Sequence, residues 1–316
     1  MDYITLGDRF LEGACTEKYN QIFYYRKTLS IDEGATANLY ETGLLDDDDL
    51  KIIEFVYKTV ISNERQILDF CEIKRIENGE KRVEKLFVNV VINRFALCSK
   101  ESSYTKTRQI PRSQDVQYFY CLTAAGKILL EKYLYSPETI VRWNTGTPCM
   151  SSINVRRMLV STEHYLNVCR FDNMQSYKSL VTLVANDRQI KVNSVFKLGD
   201  LTPDGNFEFT TYLTEAVLYG TEEAEVLDRL SIYRSFLVTK SWEKYFHNKN
   251  KVKPILLFIT EDDESAGDIA SMVLEEIPQD VIFYITTIER MKLGYERTGG
   301  LLSYDSVTNM LIETQI

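Results

Sequence analysis

Residues 80–94 read EKRVEKLFVNVVINR. At about 100° per residue around a helix, four polar side chains fall on one narrow stripe: Arg82, Lys85, Asn89 and Asn93. Four apolar side chains fall on the adjoining stripe: Val83, Leu86, Phe87 and Val90. The pattern predicts a helix near 80–94 that buries one side and presents Arg, Lys and Asn on the other. Val88 and Ile92 lie outside the apolar stripe, and the many β-branched residues leave a strand open as the alternative for part of this segment.

Two further helices are predicted upstream of this segment. Four carboxylates at 46–49 precede an apolar-periodic run, and negative charge at a helix start is favoured by the unpaired amide groups there. We therefore expect a first helix near 48–61. Asn63 can cap a second helix with Gln66 as its reciprocal partner, and the Asn78-Gly79 break separates that helix from the third.

Downstream, the pattern changes to two short strands and a fourth helix. Strands are predicted at 96–99 and 116–122, with a polar loop at 100–115 between them. Thr123 is placed to cap a helix over 124–134. Three helices followed by a two-stranded hairpin is the order of a winged helix, so we predict a winged helix-turn-helix domain at 46–136. Residues 1–45 are interpreted as an N-terminal arm of unknown role.

The charge distribution favours DNA as the ligand of this domain. The segment 74–112 holds ten Lys and Arg against four Glu, a balance of +6, which leaves −15 for the rest of a chain with net charge −9. The third helix of such a domain normally enters the major groove, while a cationic, hydroxyl-rich loop suits phosphate contacts. The predicted DNA-contacting residues are Lys81, Arg82, Lys85, Asn89, Asn93, Lys100, Lys106, Arg108 and Arg112. The alternative is a solvated helix and an exposed loop.

The C-terminal half is predicted to form a second domain over 150–316. Residues 137–148 are interpreted as a connection, and a helix near 151–172 follows. Predicted strands at 179–185, 189–196, 207–213, 255–260 and 281–286 then alternate with helices at 224–237 and 266–277. This alternation indicates an α/β domain with a mixed sheet. The whole chain is therefore predicted to be α+β.

Several other functions find no support in the sequence. The six cysteines contain no Cys-x-x-Cys pair, and only two histidines are present, which argues against a zinc site. Neither a Gly-x-Gly-x-x-Gly motif nor a Walker phosphate loop occurs, so we expect no cofactor. The first residues lack the pattern of a secretory signal, and no apolar stretch is long enough to cross a membrane. We expect a cytoplasmic protein that does not engage a membrane.

Residues 118–130, YFYCLTAAGKILL, resemble the end of the winged helix in the replication-relaxation family of plasmids and other mobile elements. That family has an aromatic strand, a Leu-Thr step and a glycine-containing helix. The corresponding residues here are Tyr118, Tyr120, Leu122, Thr123 and Gly126. Many winged helices share this pattern, so the match has low specificity by itself.

A second stretch makes the resemblance more specific. Members of the family resemble restriction-endonuclease-like domains, with Pro-Asp before a strand, an acidic strand, Gly-Thr, and a helix that contains Lys and Tyr. The matching residues are Pro203, Asp204, Glu215, Gly220, Thr221, Arg229 and Tyr233. The resemblance implies a restriction-endonuclease-like C-terminal domain and extends over about 46–290.

This chain departs from the family pattern where a nuclease needs its catalytic groups. A metal-dependent nuclease requires carboxylates for Mg²⁺ and a lysine near the attacking water. Asp204 and Glu215 are present, but Val217 stands where the next carboxylate is expected and Arg229 stands where the lysine is expected. Arginine is permanently protonated and cannot act as a base. We therefore expect no catalytic residues and no metal, and we interpret Asp204 as a turn residue and Glu215 as a solvated strand residue. The alternative is that Asp204, Glu215 and Arg229 are vestiges of a nuclease site.

The resemblance implies a double-stranded DNA-binding accessory protein for replication, relaxation or mobilisation of a plasmid or related element. Replication or relaxase proteins are the expected partners, and the C-terminal domain is expected to serve in homodimerisation or docking. Three alternatives remain open: a Mg²⁺-dependent endonuclease, a transcription regulator of a mobile element, and a protein-interaction module that does not bind DNA.

Overall fold

The computed structural model describes residues 21–24, 32–98, 118–136, 152–201, 207–246 and 252–316. The chain divides into two compact units, Met1–Thr162 and Glu163–Ile316. Ten α-helices and eleven strands lie within the described ranges, which confirms the α+β class. No helix in these ranges combines the length and the apolar character that a membrane crossing requires.

The first unit combines short helices with a four-stranded sheet. Its helices are α1 (Glu33–Glu41), α2 (Asp47–Thr59), α3 (Glu64–Ile73), α4 (Gly79–Val88) and α5 (Ala124–Leu129), the last continued by a π-helical segment, Leu130–Leu134. Its strands are β1 (Gln21–Tyr24), β2 (Ser62–Asn63), β3 (Ile92–Cys98) and β4 (Tyr118–Leu122). The strand order is β1-β3-β4-β2, and each neighbouring pair is antiparallel.

Three predicted helix starts are confirmed by their caps. The Asp46 side chain accepts a hydrogen bond from the backbone amide of Asp49, and the Asp49 side chain accepts one from the backbone amide of Asp46. This reciprocal pair is a capping box. Asn63 and Gln66 form the same reciprocal pair at the start of α3. The hydroxyl of Thr123 accepts from the Gly126 amide at the start of α5. Each cap satisfies amide groups that the first turn of a helix leaves unpaired.

The predicted extent of the third helix is wrong. Helix α4 ends at Val88, not near 94, and the chain reverses through Val90, which has a φ of 59°. The amides of Val90 and Val91 donate to the carbonyls of Phe87 and Leu86, the two bonds of a Schellman motif. The β-branched run after it then forms β3, which pairs with β4.

The second unit contains a seven-stranded mixed sheet in the order β11-β10-β9-β8-β7-β6-β5. Its strands are β5 (Met174–Ala185), β6 (Arg188–Leu201), β7 (Phe207–Ala216), β8 (Ile255–Thr260), β9 (Phe283–Thr287), β10 (Leu301–Asp305) and β11 (Met310–Thr314). Only the β7–β8 and β8–β9 pairs are parallel. The mixed sheet predicted for this region is confirmed.

Helices complete this unit and make the crossover connections of the parallel strands. Helix α6 (Ser152–Val168) contains the boundary between the two units. The helices that follow are α7 (Glu223–Val238), α8 (Ser241–Phe246), α9 (Asp263–Glu276) and α10 (Ile288–Leu293). Tyr233 and Phe236 of α7 pack with Trp242, Leu213 and Phe258 in the core. The sequence predicted α7, α9 and the strand Ile255–Thr260, but not the final hairpin of β10 and β11.

Candidate functional site

The cationic residues predicted on the third helix form ion pairs within the first unit. Nη1 of Arg82 lies 2.7 Å from Oδ1 of Asp46 and 2.9 Å from Oδ1 of Asp49. Its Nε donates to the carbonyl of Glu77 at 2.9 Å. The Arg82 guanidinium therefore joins the start of α4 to the acidic start of α2.

Lys85 completes the same cluster. Its Nζ lies 2.5 Å from Oδ2 of Asp49 and donates to the Leu44 carbonyl at 3.2 Å. The Asp49 side chain is 0% exposed and also takes part in the capping box of α2. A fully buried carboxylate needs such partners, because leaving it unpaired would be costly. We call Asp46, Asp49, Arg82 and Lys85 the interhelix ion cluster.

The ion pair between Asp46 and Arg82 changes the proton affinity of both groups. The hydrogen bond from Arg82 lowers the pKa of Asp46 to about 2. The hydrogen bond to Asp46 in turn raises the pKa of Arg82 above its ordinary value. Both groups therefore stay charged over the whole neutral range.

The other predicted DNA-contacting residues are distributed over different environments. Lys81 is exposed on α4. Asn89 is the C-cap residue directly after α4, and its side-chain amide donates to the Lys85 carbonyl at 2.8 Å. Asn93 lies on β3, not on the helix, and is buried. Four more residues lie outside the described ranges: Lys100, Lys106, Arg108 and Arg112. The structure thus does not form the predicted stripe of four polar residues on one helix.

Strand β3 runs back alongside α4. Nη1 of Arg94, the third residue of the strand, lies 3.6 Å from Oε2 of Glu84. The guanidinium carbon of Arg94 lies 4.1 Å from the centre of the Phe87 ring. These two contacts place the start of β3 beside the second half of α4. Lys81 in the first half of α4 and Arg75 in the turn before the helix are exposed.

In the second unit, the acidic residue matched to nuclease-like domains is Glu215 on β7, and it is 4% exposed. Its Oε2 lies 2.6 Å from Nη2 of Arg229 and accepts a hydrogen bond from the Tyr233 hydroxyl at 2.8 Å. Burial opposes the charge of Arg229, but the Glu215 carboxylate keeps the pKa of Arg229 above its ordinary value. The expectation that Glu215 is solvated is wrong, because the residue is buried in an ion pair.

The described residues do not bring together the other positions of the nuclease-like pattern, which are Asp204 and Val217. Asp204 lies outside the described residues. Val217 donates its amide to the Ile259 carbonyl and packs at the edge of the hydrophobic core. Among the described residues no group of three or more His, Cys, Asp or Glu side chains is arranged to hold a metal ion.

A buried polar cluster in the second unit was not predicted. Nδ1 of His164 lies 2.9 Å from the hydroxyl of Tyr295, and its Nε2 lies 3.1 Å from Oγ1 of Thr214. Burial lowers the pKa of His164 to about 3, so the imidazole is neutral at pH 7. The three residues are far apart in the chain, and no local spacing signals their contact.

Comparisons with protein-family models, with characterised proteins and with solved structures gave no match to this chain.

Proposed function

We propose that the first unit binds double-stranded DNA as a winged-helix domain. The observation that carries this proposal is the order and pairing of its elements. Helices α2, α3 and α4 are followed by β3 and β4, and β4 has β3 on one side and the short β2 on the other. A helix-turn-helix unit of this type places its last helix against the major groove.

Two of the positive groups proposed to contact phosphates lie near the start of α4. Arg75 and Lys81 are exposed there. The segment after β3 carries four more cations in its sequence, Lys100, Lys106, Arg108 and Arg112, which lie outside the described residues. Contacts from such residues to phosphate oxygens supply affinity that depends on salt and hardly on base sequence.

Arg82 and Lys85 have a supporting role in this proposal. Moving their side chains to DNA would leave Asp49 buried without its cationic partners, which is energetically costly. They therefore fix α4 against α2 and do not read bases. The proposed binding is consequently dominated by the DNA backbone, with weak sequence preference.

The test is fluorescence anisotropy with a labelled duplex at several salt concentrations. Arg75→Glu/Lys81→Glu should weaken binding about tenfold or more and reduce the salt dependence by about two phosphate contacts. The matched control is Lys178→Glu/Lys240→Glu, which makes the same change in charge at exposed positions of the second unit. Absence of binding by the wild type at low salt, or equal loss in the control, would contradict the proposal.

We further infer that the DNA belongs to a plasmid or related mobile element and that the protein assists its replication, relaxation or mobilisation. The resemblance at 118–130 and 203–233 supports this part. Deletion of the coding sequence from such an element should lower its copy number or transfer frequency, and expression from another locus should restore it. A transcription regulator would instead change only transcript levels from the neighbouring promoter.

A second candidate function is a protein-interaction module that does not bind DNA. The exposed side of α4 itself favours it, because two acids, Glu80 and Glu84, accompany the single base Lys81 there. A surface with this balance repels phosphate. The anisotropy experiment separates the two functions, since this candidate requires no salt-dependent binding by the wild type.

The endonuclease alternative has less support, because Glu215 is held by Arg229 and Tyr233. It requires Mg²⁺-dependent nicking of a supercoiled plasmid that disappears in both Asp204→Ala and Glu215→Ala. We expect no nicking by the wild-type protein.

A further inference from the structure

Strand β11 forms one edge of the seven-stranded sheet. It pairs with β10 on one side, and no strand among the described residues pairs with its other side. Met310 is 64% exposed and Ile312 is 45% exposed, and Val307 in the preceding turn is 90% exposed. An edge strand with unpaired backbone groups and exposed apolar side chains is a template for another strand.

The opposite edge of the same sheet is protected against such pairing. Strand β5 has an irregular register between Met174 and Ser176, and Leu180 has a φ of 51°. The charged side chain of Lys178 is exposed on it. Bulges and exposed lysines are features by which proteins prevent edge-to-edge association. Strand β11 contains no proline, lysine or arginine, and none of its residues has a positive φ.

The two faces of β11 have different roles. Leu311 packs against the hydrophobic core, and Glu313 lies 3.1 Å from Nη1 of Arg290. Met310 and Ile312 point to the other face because side chains alternate along a strand. The core therefore fixes the position of β11, while its exposed apolar residues remain available.

We propose that a second copy of this chain pairs with β11, antiparallel and centred on Ile312. In that register Ile312 lies opposite Ile312 of the other copy, Met310 opposite Thr314, and Leu311 opposite Glu313. A parallel pairing in register would bring the two Glu313 carboxylates together, which is unfavourable. The antiparallel register separates them, and each stays paired with Arg290 of its own chain. The strand is thus complementary to itself about a two-fold axis.

The assembly is a closed dimer. Pairing of β11 with β5 of another copy would be head-to-tail and would produce a filament. The irregular, charged edge of β5 disfavours that contact. Pairing of β11 with itself uses the same surface on both copies and ends after two chains, joining the two sheets into one. This inference does not depend on DNA binding.

The first experiment measures the mass of the full chain by light scattering from low to high micromolar concentration. The wild type should show twice the chain mass of 36.7 kDa. Ile312→Lys should show the single-chain mass with an unchanged circular dichroism spectrum, because the position is exposed at an edge. Val184→Lys is the matched control: Val184 is 43% exposed on β5, and this variant should remain dimeric. A monomeric wild type at all concentrations, or growth beyond dimers, would overturn the proposal.

The register has its own test. Ile312→Cys should form an inter-chain disulfide on mild oxidation, because directly opposed Cβ atoms in an antiparallel pair lie about 4.5–5.5 Å apart. Met310→Cys should cross-link much less, since Thr314 lies opposite it. The wild type gives the background from the six native cysteines. Equal cross-linking in the two variants, or none above background, would reject the register. The Arg75→Glu/Lys81→Glu protein should still dimerise, so failure of DNA binding and failure of dimerisation are distinguishable.

Discussion

Nη2 of Arg229 lies 2.6 Å from Oε2 of Glu215, and the same oxygen accepts a hydrogen bond from Tyr233. Glu215 stands at the position that the resemblance assigns to a metal ligand, and Arg229 stands where the lysine near the attacking water is expected. These two residues therefore form an ion pair with each other. The carboxylate cannot hold a cation at this oxygen without breaking the pair. Because Glu215 is buried, breaking the pair would leave a charge without compensation in a medium that solvates it poorly.

Arg229→Met should strongly destabilise the protein. The substitution keeps the side-chain volume but removes the cation that compensates Glu215. Loss of one partner of a buried pair typically costs about 3–5 kcal/mol. Urea denaturation measures the free energy of unfolding. Glu215→Gln/Arg229→Met should recover most of the loss, because no charge is then left buried.

The exposed pair of Arg188 and Asp228 serves as the control for this prediction. Their side chains are largely in solvent, so Arg188→Met should cost less than about 1 kcal/mol. If Arg229→Met lowers the free energy of unfolding no more than Arg188→Met does, the buried ion pair does not stabilise the protein as predicted.

Asp46→Asn should lower stability at neutral pH but not in strong acid. Asparagine still caps the helix, so the variant removes only the charge that pairs with Arg82. The pKa of Asp46 is lowered from 3.8 to about 2 in the folded state. Its stabilisation is therefore complete above pH 3.8 and is lost as the pH falls toward 2. We expect a difference of at most about 1 kcal/mol, since solvent screens the exposed carboxylate.

Asp46→Ala is the companion variant for this experiment. It also removes the cap, so it should cost about 1 kcal/mol more than Asp46→Asn at either pH. Circular dichroism during urea titration at neutral and acid pH measures both variants. If the free energies of unfolding of the wild type and Asp46→Asn differ by the same amount at neutral and acid pH, the role assigned to the ion pair is contradicted.

Local chemistry made the element order and most helix starts predictable from the sequence. Asp46, Asn63 and Thr123 are good N-cap residues that precede apolar-periodic segments, and each begins a helix. The end of α4 was not predictable from periodicity. It is set by a Schellman turn in which Val90, a β-branched residue, adopts a left-handed conformation. Such a turn normally takes Gly or Asn, so the sequence carried the wrong signal at that position.

The sequence also failed to indicate which charges meet. Arg82 and Asp49 are 33 residues apart, and only the packing of α4 on α2 brings them together. A helical wheel showed a cationic stripe but not its partner. One signal was present: four carboxylates at 46–49 exceed what capping requires, and the cationic stripe on α4 had a compatible spacing. The exposed position of Lys81, in contrast, follows directly from the periodicity of the helix.

His164→Gln should reduce the pH dependence of stability in mild acid. Burial lowers the pKa of His164 from 6.5 to about 3, so the folded protein holds the neutral imidazole while the unfolded chain binds a proton below pH 6.5. The stability contribution is therefore complete above pH 6.5 and is lost as the pH falls toward 3. The slope attributable to this residue reaches about 1.4 kcal/mol per pH unit.

Chemical denaturation between about pH 6.5 and pH 5 measures that slope before most carboxylates titrate. Tyr295→Phe is the control, because it removes the hydroxyl hydrogen-bonded to His164 but leaves the imidazole in place. It should lower stability by about 1 kcal/mol without abolishing the slope. An unchanged slope in His164→Gln would show that other groups control the acid sensitivity.

Gly126→Ala and Gly267→Ala should have opposite effects, although both replace a glycine within a helix. Alanine is favoured over glycine in a helix by about 1 kcal/mol. At Gly126 a new Cβ would lie 2.4 Å from Cδ1 of Leu122 and 2.6 Å from the carbonyl oxygen of Val91. That carbonyl is fixed by the Thr123 hydroxyl, so overpacking should outweigh the gain and destabilise by about 1–3 kcal/mol. At Gly267 nothing lies within 4 Å, and we expect stabilisation by about 0.5–1 kcal/mol. Urea denaturation measures both, and a stabilising Gly126→Ala would contradict the packing of α5 against the turn that ends α4.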